Sequence, residues 1–192
     1  MDLALLCTEV NRLVKQVGAF IRQEGQQFDT TKIELKAVNN LVSYVDKEAE
    51  QQLVSGLQKM LPEAGFIAEE GSASNNNEEY LWIVDPLDGT TNFSHGLPVF
   101  SISVALSLRG EHILGVVYEV NREECFYAWK NGGAYLNGQP ISTSSVKSLD
   151  RSLLATGFPY YLFEKLDNYI EILKEFMQGT HGPCINSFKI SI

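Results

Sequence analysis

Between Tyr80 and Phe93 the chain passes from an apolar run into a polar, glycine-bearing turn, and few local patterns leave a backbone so little choice. Tyr80-Leu81-Trp82-Ile83-Val84 has the length and apolar content of a buried strand. Asp85-Pro86-Leu87-Asp88 follows, and because proline has no N–H, Pro86 is expected to stop the strand's ladder. Gly89-Thr90-Thr91-Asn92 then supplies small residues whose backbone donors would face outward at a helix start. Two carboxylates three residues apart, between a strand end and such a turn, describe a place where a divalent cation and an anion can meet.

Length and composition set the limits around that feature. The chain has 192 residues, 44% of them hydrophobic, enough to bury a core in one domain or one and a fraction. A net charge of −9 argues against nucleic-acid backbones and anionic membranes as partners, so a small phosphate would need a local cationic site or a bound metal. Cys7, Cys125 and Cys184 are odd in number and far apart, the pattern of reduced, buried thiols in a cytosol. The start has no basic leader region and no apolar run approaches the roughly 18 residues of a membrane span, so a soluble, cytoplasmic protein is expected.

The apolar period divides the chain. Leu3, Leu6, Val10, Leu13, Val14, Val17, Phe20 and Ile21 recur at three and four, predicting an amphipathic helix that ends near Gly25. Lys32 to Lys36 alternates like a short strand before a turn at Val38-Asn39-Asn40, a hairpin or mobile loop. Asp46 is read as the cap of a second helix with the stripe Ala49, Leu53, Val54, Leu57 and Leu61, closed by Pro62. Phe66 to Ala68 is a short strand and Gly71 to Glu79 a polar loop. From Phe100 to Leu108 apolar residues alternate with small ones, and further strands lie between turns at Arg109-Gly110, Asn121 to Glu124, Asn131 to Gly133 and Asn137-Gly138. That is an antiparallel meander. Ser142 to Ser148 reads as a linker, followed by a strand near Leu153 to Thr156 and a helix from Leu162 to Met177. The expected organisation is mixed α/β, helices on a sheet: residues 1–141 form a metal- and phosphate-binding unit, and residues 142–192 begin a second unit that is cut short. Pro183 to Ile192 has no readable pattern.

Glu69, Asp85 and Asp88 are hard oxygen donors at strand ends, and the Leu87 carbonyl between the aspartates can be a fourth. Such a set suits Mg²⁺, which keeps several waters and takes few protein ligands. Thr90 can hydrogen-bond a water that Glu69 also contacts. The spacing excludes two other phosphatase chemistries. Asp-x-x-Asp is not the Asp-x-Asp of the haloacid-dehalogenase type, and no cysteine is followed by arginine at Cys-x5-Arg spacing. His95, His112 and His181 have no ligand spacing to one another, and Trp82 and Trp129 read as core.

Asp85-Pro86-Leu87-Asp88-Gly89-Thr90-Thr91-Asn92-Phe93 resembles the signature of the inositol monophosphatase family of Mg²⁺-dependent, lithium-sensitive phosphatases. Phe66-Ile67-Ala68-Glu69-Glu70, the run from Lys36 to Asp46, Gly115-Val116-Val117-Tyr118 and Gly132 to Gly138 resemble further parts of that family, so the likeness runs to about Gly182. The resemblance implies Glu69, Asp85, Leu87 and Asp88 as metal ligands, Glu69 and Thr90 as the pair orienting the attacking water, and Glu69, Leu87, Asp88, Gly89 and Thr90 as the substrate-facing set. Gly89 and Thr90 would donate backbone N–H groups to the phosphate. Lys36 and Asp46 would belong to the mobile loop that helps place an activating metal; Asn40 and Ser43 replace the family's usual aspartate and threonine. The implied reaction is hydrolysis of a small phosphorylated alcohol, inositol monophosphate first, with fructose bisphosphate, histidinol phosphate and adenosine bisphosphate as rivals. Thr91-Asn92-Phe93 favours the inositol branch. The fold that the resemblance implies is an α/β, or α+β layered, sandwich of helices and mainly antiparallel sheets with its second half incomplete, and a homodimer is the family's frequent assembly. The family's later Gly-Ser-Ala-Ala and Trp-Asp-x-Ala-Ala-Gly segments have no counterpart here, so the expectation is a truncated chain with the phosphate half of a site and not the alcohol half, either a weak enzyme or a non-catalytic remnant.

Overall fold

The computed structural model describes residues 1–26, 33–37, 40–69, 78–157, 164, 166–179 and 183–185, and for 33–37, 40–43 and 183–185 the backbone alone. Two compact units emerge, Met1–Ile141 and Ser142–Ile192.

The first unit opens with α1 (Leu3–Gly25). Asp2 starts it by accepting the Ala4 and Leu5 N–H groups at 3.0 and 3.1 Å, satisfying two donors that the first turn would leave open. Its buried face is Leu6, Cys7, Val10, Val14, Val17, Gly18 and Ile21, the three-and-four stripe. The antiparallel hairpin β1 (Ile33–Ala37) and β2 (Asn40–Ser43) comes next, with Val38 and Asn39 outside the described residues. It leads directly into α2 (Tyr44–Met60), which buries Val45, Ala49, Leu53 and Leu57 and, on the same helix, the carboxylates Asp46 and Glu50. At Gly56 a Cβ would stand 2.6 Å from the Leu13 side chain, so glycine is what lets α2 press onto α1.

A seven-stranded sheet carries the two helices. Its members are β3 (Gly65–Ala68), β4 (Tyr80–Asp88), β5 (Ser101–Leu108), β6 (Glu111–Glu119), β7 (Glu124–Trp129), β8 (Gly133–Leu136) and β9 (Gln139–Ile141), in chain order across the sheet. β3 and β4 are parallel and every later neighbour antiparallel. The β5–β6 and β8–β9 loops are two-residue turns with positive φ at Arg109, Gly110, Asn137 and Gly138, the hairpin geometry that matches strand twist. Trp82, Val84, Ile102, Val104, Leu106, Leu114, Val116 and Tyr118 join the helices' stripes in one core. Most of the polar loop expected at Gly71 to Glu79 lies outside the described residues.

Pro86 does not end β4. The strand runs on to Asp88, and the missing N–H is absorbed by a bulge: Asp85 faces Ser103 and Asp88 faces Ser101, three steps on β4 against two on β5. A second correction concerns Pro183, where no pattern was expected. Pro183–Ile185 forms β11, parallel to β10 (Leu154–Thr156), in the second unit, which also holds α4 (Leu166–Gly179). Residues 186–192 lie outside the described residues.

Candidate active site

The carboxylates gather at one end of the sheet because of the β3–β4 register. Ala68 pairs with Val84 in parallel, so Glu69 and Asp85 follow at the same level, Glu69 just past the end of β3 and Asp85 where the bulge of β4 begins, on the C-terminal side of two neighbouring parallel strands, where ligands collect in open parallel sheets. Glu69 is exposed there and Asp85 is half-buried. The Asp85 carboxylate accepts the Leu87 N–H at 3.2 Å, folding its side chain over the bulge. That contact and the bulge turn the Leu87 carbonyl towards Thr90, whose hydroxyl lies 2.9 Å from it.

Beyond the bulge, Gly89 takes φ +100°, and a Cβ there would meet the Val99 carbonyl oxygen at 3.0 Å and the Phe100 Cβ at 3.2 Å. Only glycine satisfies both the left-handed backbone and the close approach. It opens α3 (Thr90–Ser94), held by the Phe93 N–H to the Gly89 carbonyl at 3.0 Å and by the buried Asn92 amide to the Val99 carbonyl at 2.8 Å. Phe93 and Phe100 pack edge to face at 5.3 Å.

Asp46 is the residue whose place the sequence reading missed. It lies inside the first turn of α2 and does not cap it; it is 4% exposed and its Oδ2 accepts the Thr90 hydroxyl at 2.9 Å, across 44 residues of sequence. The Thr90 hydroxyl has one proton and two acceptors, Asp46 and the Leu87 carbonyl. With the proton directed to Asp46, its lone pairs can receive a hydrogen from a water. Acidic residues four apart on α2, Asp46 and Glu50, were available as a signal, since carboxylates seldom sit on a buried helix face without a task.

The structure thus brings Asp46, Leu87 and Thr90 into direct contact, sets Glu69 beside Asp85 at the strand ends, and puts Asp88 in the β4–β5 ladder after the bulge. Among the described residues no three His, Cys, Asp or Glu side chains form a group able to hold a metal ion, so the donors are neighbours and not an assembled coordination shell. Their chemistry, oxygen alone and drawn from separate elements, fits a hard cation that keeps most of its own water. Lys36 has its backbone in β1, with its side chain outside the description. No helix among the described residues is long and apolar enough to cross a membrane.

Comparison with known proteins shows the family and the fold. The model of the inositol monophosphatase family matches residues 4–182. Nus factor SuhB of Pseudomonas aeruginosa is 37% identical over 176 residues, 89% of this chain and 65% of that protein, so the chain spans about two thirds of the relative's length. Among solved structures, the IMPase of Thermotoga maritima superposes with a TM-score of 0.81 at 32% identity, covering 93% of this chain and 66% of the other. The inositol monophosphatase of Anabaena gives 0.83 at 29%, covering 97% and 68%. The extragenic suppressor protein suhB of Bartonella henselae gives 0.84 at 29%, covering 92% and 68%. Matched by the family model from residue 4 to residue 182, nearly its whole length, the chain belongs to the inositol monophosphatase family.

Proposed function

We propose that this site hydrolyses the phosphomonoester of a small alcohol, inositol monophosphate first, by a directly attacking water. The observation that carries the reading is the Asp46–Thr90–Leu87 contact beside Glu69 and Asp85. Glu69, Asp85, Asp88 and the Leu87 carbonyl would hold Mg²⁺, which when bound supplies charge neutralisation at the phosphoryl oxygens and the leaving group. Thr90, with its proton directed to Asp46, and Glu69 align the water. Its oxygen bonds to phosphorus as the bond from phosphorus to the alcohol oxygen breaks, one proton passes in net from the attacking water to that leaving oxygen, and no phosphoenzyme forms. Gly89 and Thr90 present backbone N–H groups to the phosphate, and Lys36 and Asp46 border the site as the segment that helps place an activating metal. The same reading takes a small phosphorylated molecule as partner, a homodimer as assembly and the cytosol as compartment.

A second reading has its own observation. Curated relatives carry the name Nus factor SuhB, a factor's name and not an enzyme's, and the chain spans 65% of the Pseudomonas protein. In that reading the chain is a non-catalytic remnant of the fold, and the exclusion of nucleic acid drawn from net charge loses weight, because a charged partner can be met by a local surface. Phosphate release from inositol 1-phosphate by the purified chain in Mg²⁺ separates the two. Under the enzyme reading Thr90→Ala and Glu69→Gln lower kcat by about 10²-fold or more with KM nearly kept. Calorimetry adds an arm independent of turnover: Asp88→Asn should abolish Mg²⁺ binding and Asp150→Asn should leave it intact. Equal binding by both variants would remove Asp88 from the metal site.

A further inference from the structure

Asp46 and Thr90 come from different elements, so their hydrogen bond holds only if something fixes α2 and α3 relative to each other. The last turn of α1 touches both. The Tyr44 hydroxyl, two residues before Asp46, donates a hydrogen bond to Glu24. The next residue is Gly25, and a Cβ built there would stand 3.1 Å from Phe93 Cε2, inside the distance that side chains normally keep. Phe93 lies three residues after Thr90, on the short helix that Thr90 opens. Adjacent residues on one turn therefore hold both partners: Glu24 through a hydrogen bond, Gly25 by leaving room for a ring. α1 is itself anchored, since Val17, Gly18 and Ile21 are buried, and a Cβ at Gly18 would stand 2.4 Å from the Tyr118 ring on β6.

We infer that Glu24, Gly25 and Tyr44 are positioning residues for the Asp46–Thr90 pair, and that the C-terminal turn of α1 is the strut that sets their separation. The catalytic meaning of the strut rests on the reading of the site given above; the strut itself is geometry and is tested without metal or substrate. Tyr44 is partly buried, so its hydrogen bond is shielded from competing water. Glu24 has to be an acceptor but not a charge. The Gln side-chain carbonyl can take its place, and Ala cannot.

Native-state hydrogen exchange on the 192-residue chain and its variants reads the strut directly. Tyr44→Phe and Glu24→Ala should each speed exchange about fivefold, the worth of one net hydrogen bond, at residues 44–48 and also at residues 90–94, with the β5 and β6 amides unchanged. Glu24→Gln should restore parental rates in both segments. Gly25→Ala should speed exchange at residues 90–94 more than at 44–48. In a Thr90→Val background, Tyr44→Phe should no longer reach residues 90–94, because the link between the elements has been cut. Faster exchange at residues 44–48 alone would overturn the inference, and so would a uniform rise over the whole chain or a failure of Glu24→Gln to rescue. A chain that releases no phosphate would count against the enzyme reading and leave this measurement untouched.

Discussion

Helices α1 and α4 are written with the same apolar period and end in opposite states. α1 has seven buried residues, whereas α4 has none, and Ile172 and Met177 on α4 are 55% and 58% exposed. An apolar stripe is only an offer of burial, and it needs a surface within its own unit to accept it. In residues 1–141 that surface is a seven-stranded sheet. Among the described residues of 142–192 it is β10 and β11, three residues each, and two short strands make too small a platform to be stable alone. Every residue of the core cluster precedes Ser142, and none of the described residues after it is buried.

The largest test of that contrast is truncation in the core. Leu53, fully buried on α2, should cost about 2–5 kcal/mol when replaced by Ala, through lost burial and the cavity left behind. Urea unfolding followed by fluorescence measures it, and a shift below 1 kcal/mol would mean that the stripe packs loosely.

Alkaline pH probes the same core through Cys7. Burial, with a smaller contribution from Cys125, pushes the Cys7 thiol up from its ordinary 9.0 to about 11. The folded state favours the neutral thiol, so its contribution is fully present below pH 9 and is lost as pH rises towards 11. The loss should be on the order of 2 kcal/mol, and Cys7→Ala should flatten the pH dependence over that window while costing some stability at pH 7. Burial raises the Cys125 thiol too, in the same direction, so some slope should survive in the variant. Identical slopes in parent and variant would show that the Cys7 thiol ionises as freely folded as unfolded.

At the site the contrast narrows to two glycines. Gly89 and Gly96 both have positive φ, +100° and +71°, yet a Cβ at Gly89 meets backbone at 3.0 Å and one at Gly96 meets nothing within 4 Å. Gly96→Ala should cost about 1 kcal/mol for backbone conformation alone, and Gly89→Ala about 2–3 kcal/mol because strain and contact add. Equal costs would mean that the corner between the bulge and α3 has slack.

Those particulars show how far the sequence could be read. α1, α2 and the meander follow from periods of 3.6 and 2, which are local, and the turns at Arg109-Gly110 and Asn137-Gly138 follow from residues that tolerate positive φ. The family's mixed α/β fold was legible differently, through the likeness of Asp85 to Phe93 to the family's signature. Pro86 misled because proline's missing N–H permits two outcomes, the end of a strand or a bulge, and the choice is made by the partner strand β5. Asp46 misled because an aspartate at the start of a helix has a routine local use as a cap, while its partner Thr90 is 44 residues away. β11 was hidden because a three-residue parallel strand has no turn and no alternation to announce it.

The smallest effect is expected where the contrast began, on α4. Ile172→Ala removes a side chain that is more than half exposed and puts the better helix former in its place. The lost contacts and the gain in helix propensity are each a few tenths of a kcal/mol and opposed in sign, so the net change should stay within about 0.5 kcal/mol. The chain's two tryptophans, Trp82 and Trp129, are both in the first unit, so fluorescence follows that unit alone while far-UV circular dichroism also registers α4. Ile172→Ala should leave the fluorescence midpoint in urea where it is. A loss of 2 kcal/mol or more by fluorescence, on the scale of Leu53→Ala, would mean that the α4 stripe is buried in solution as the α1 stripe is, and the distinction between the two helices would fall.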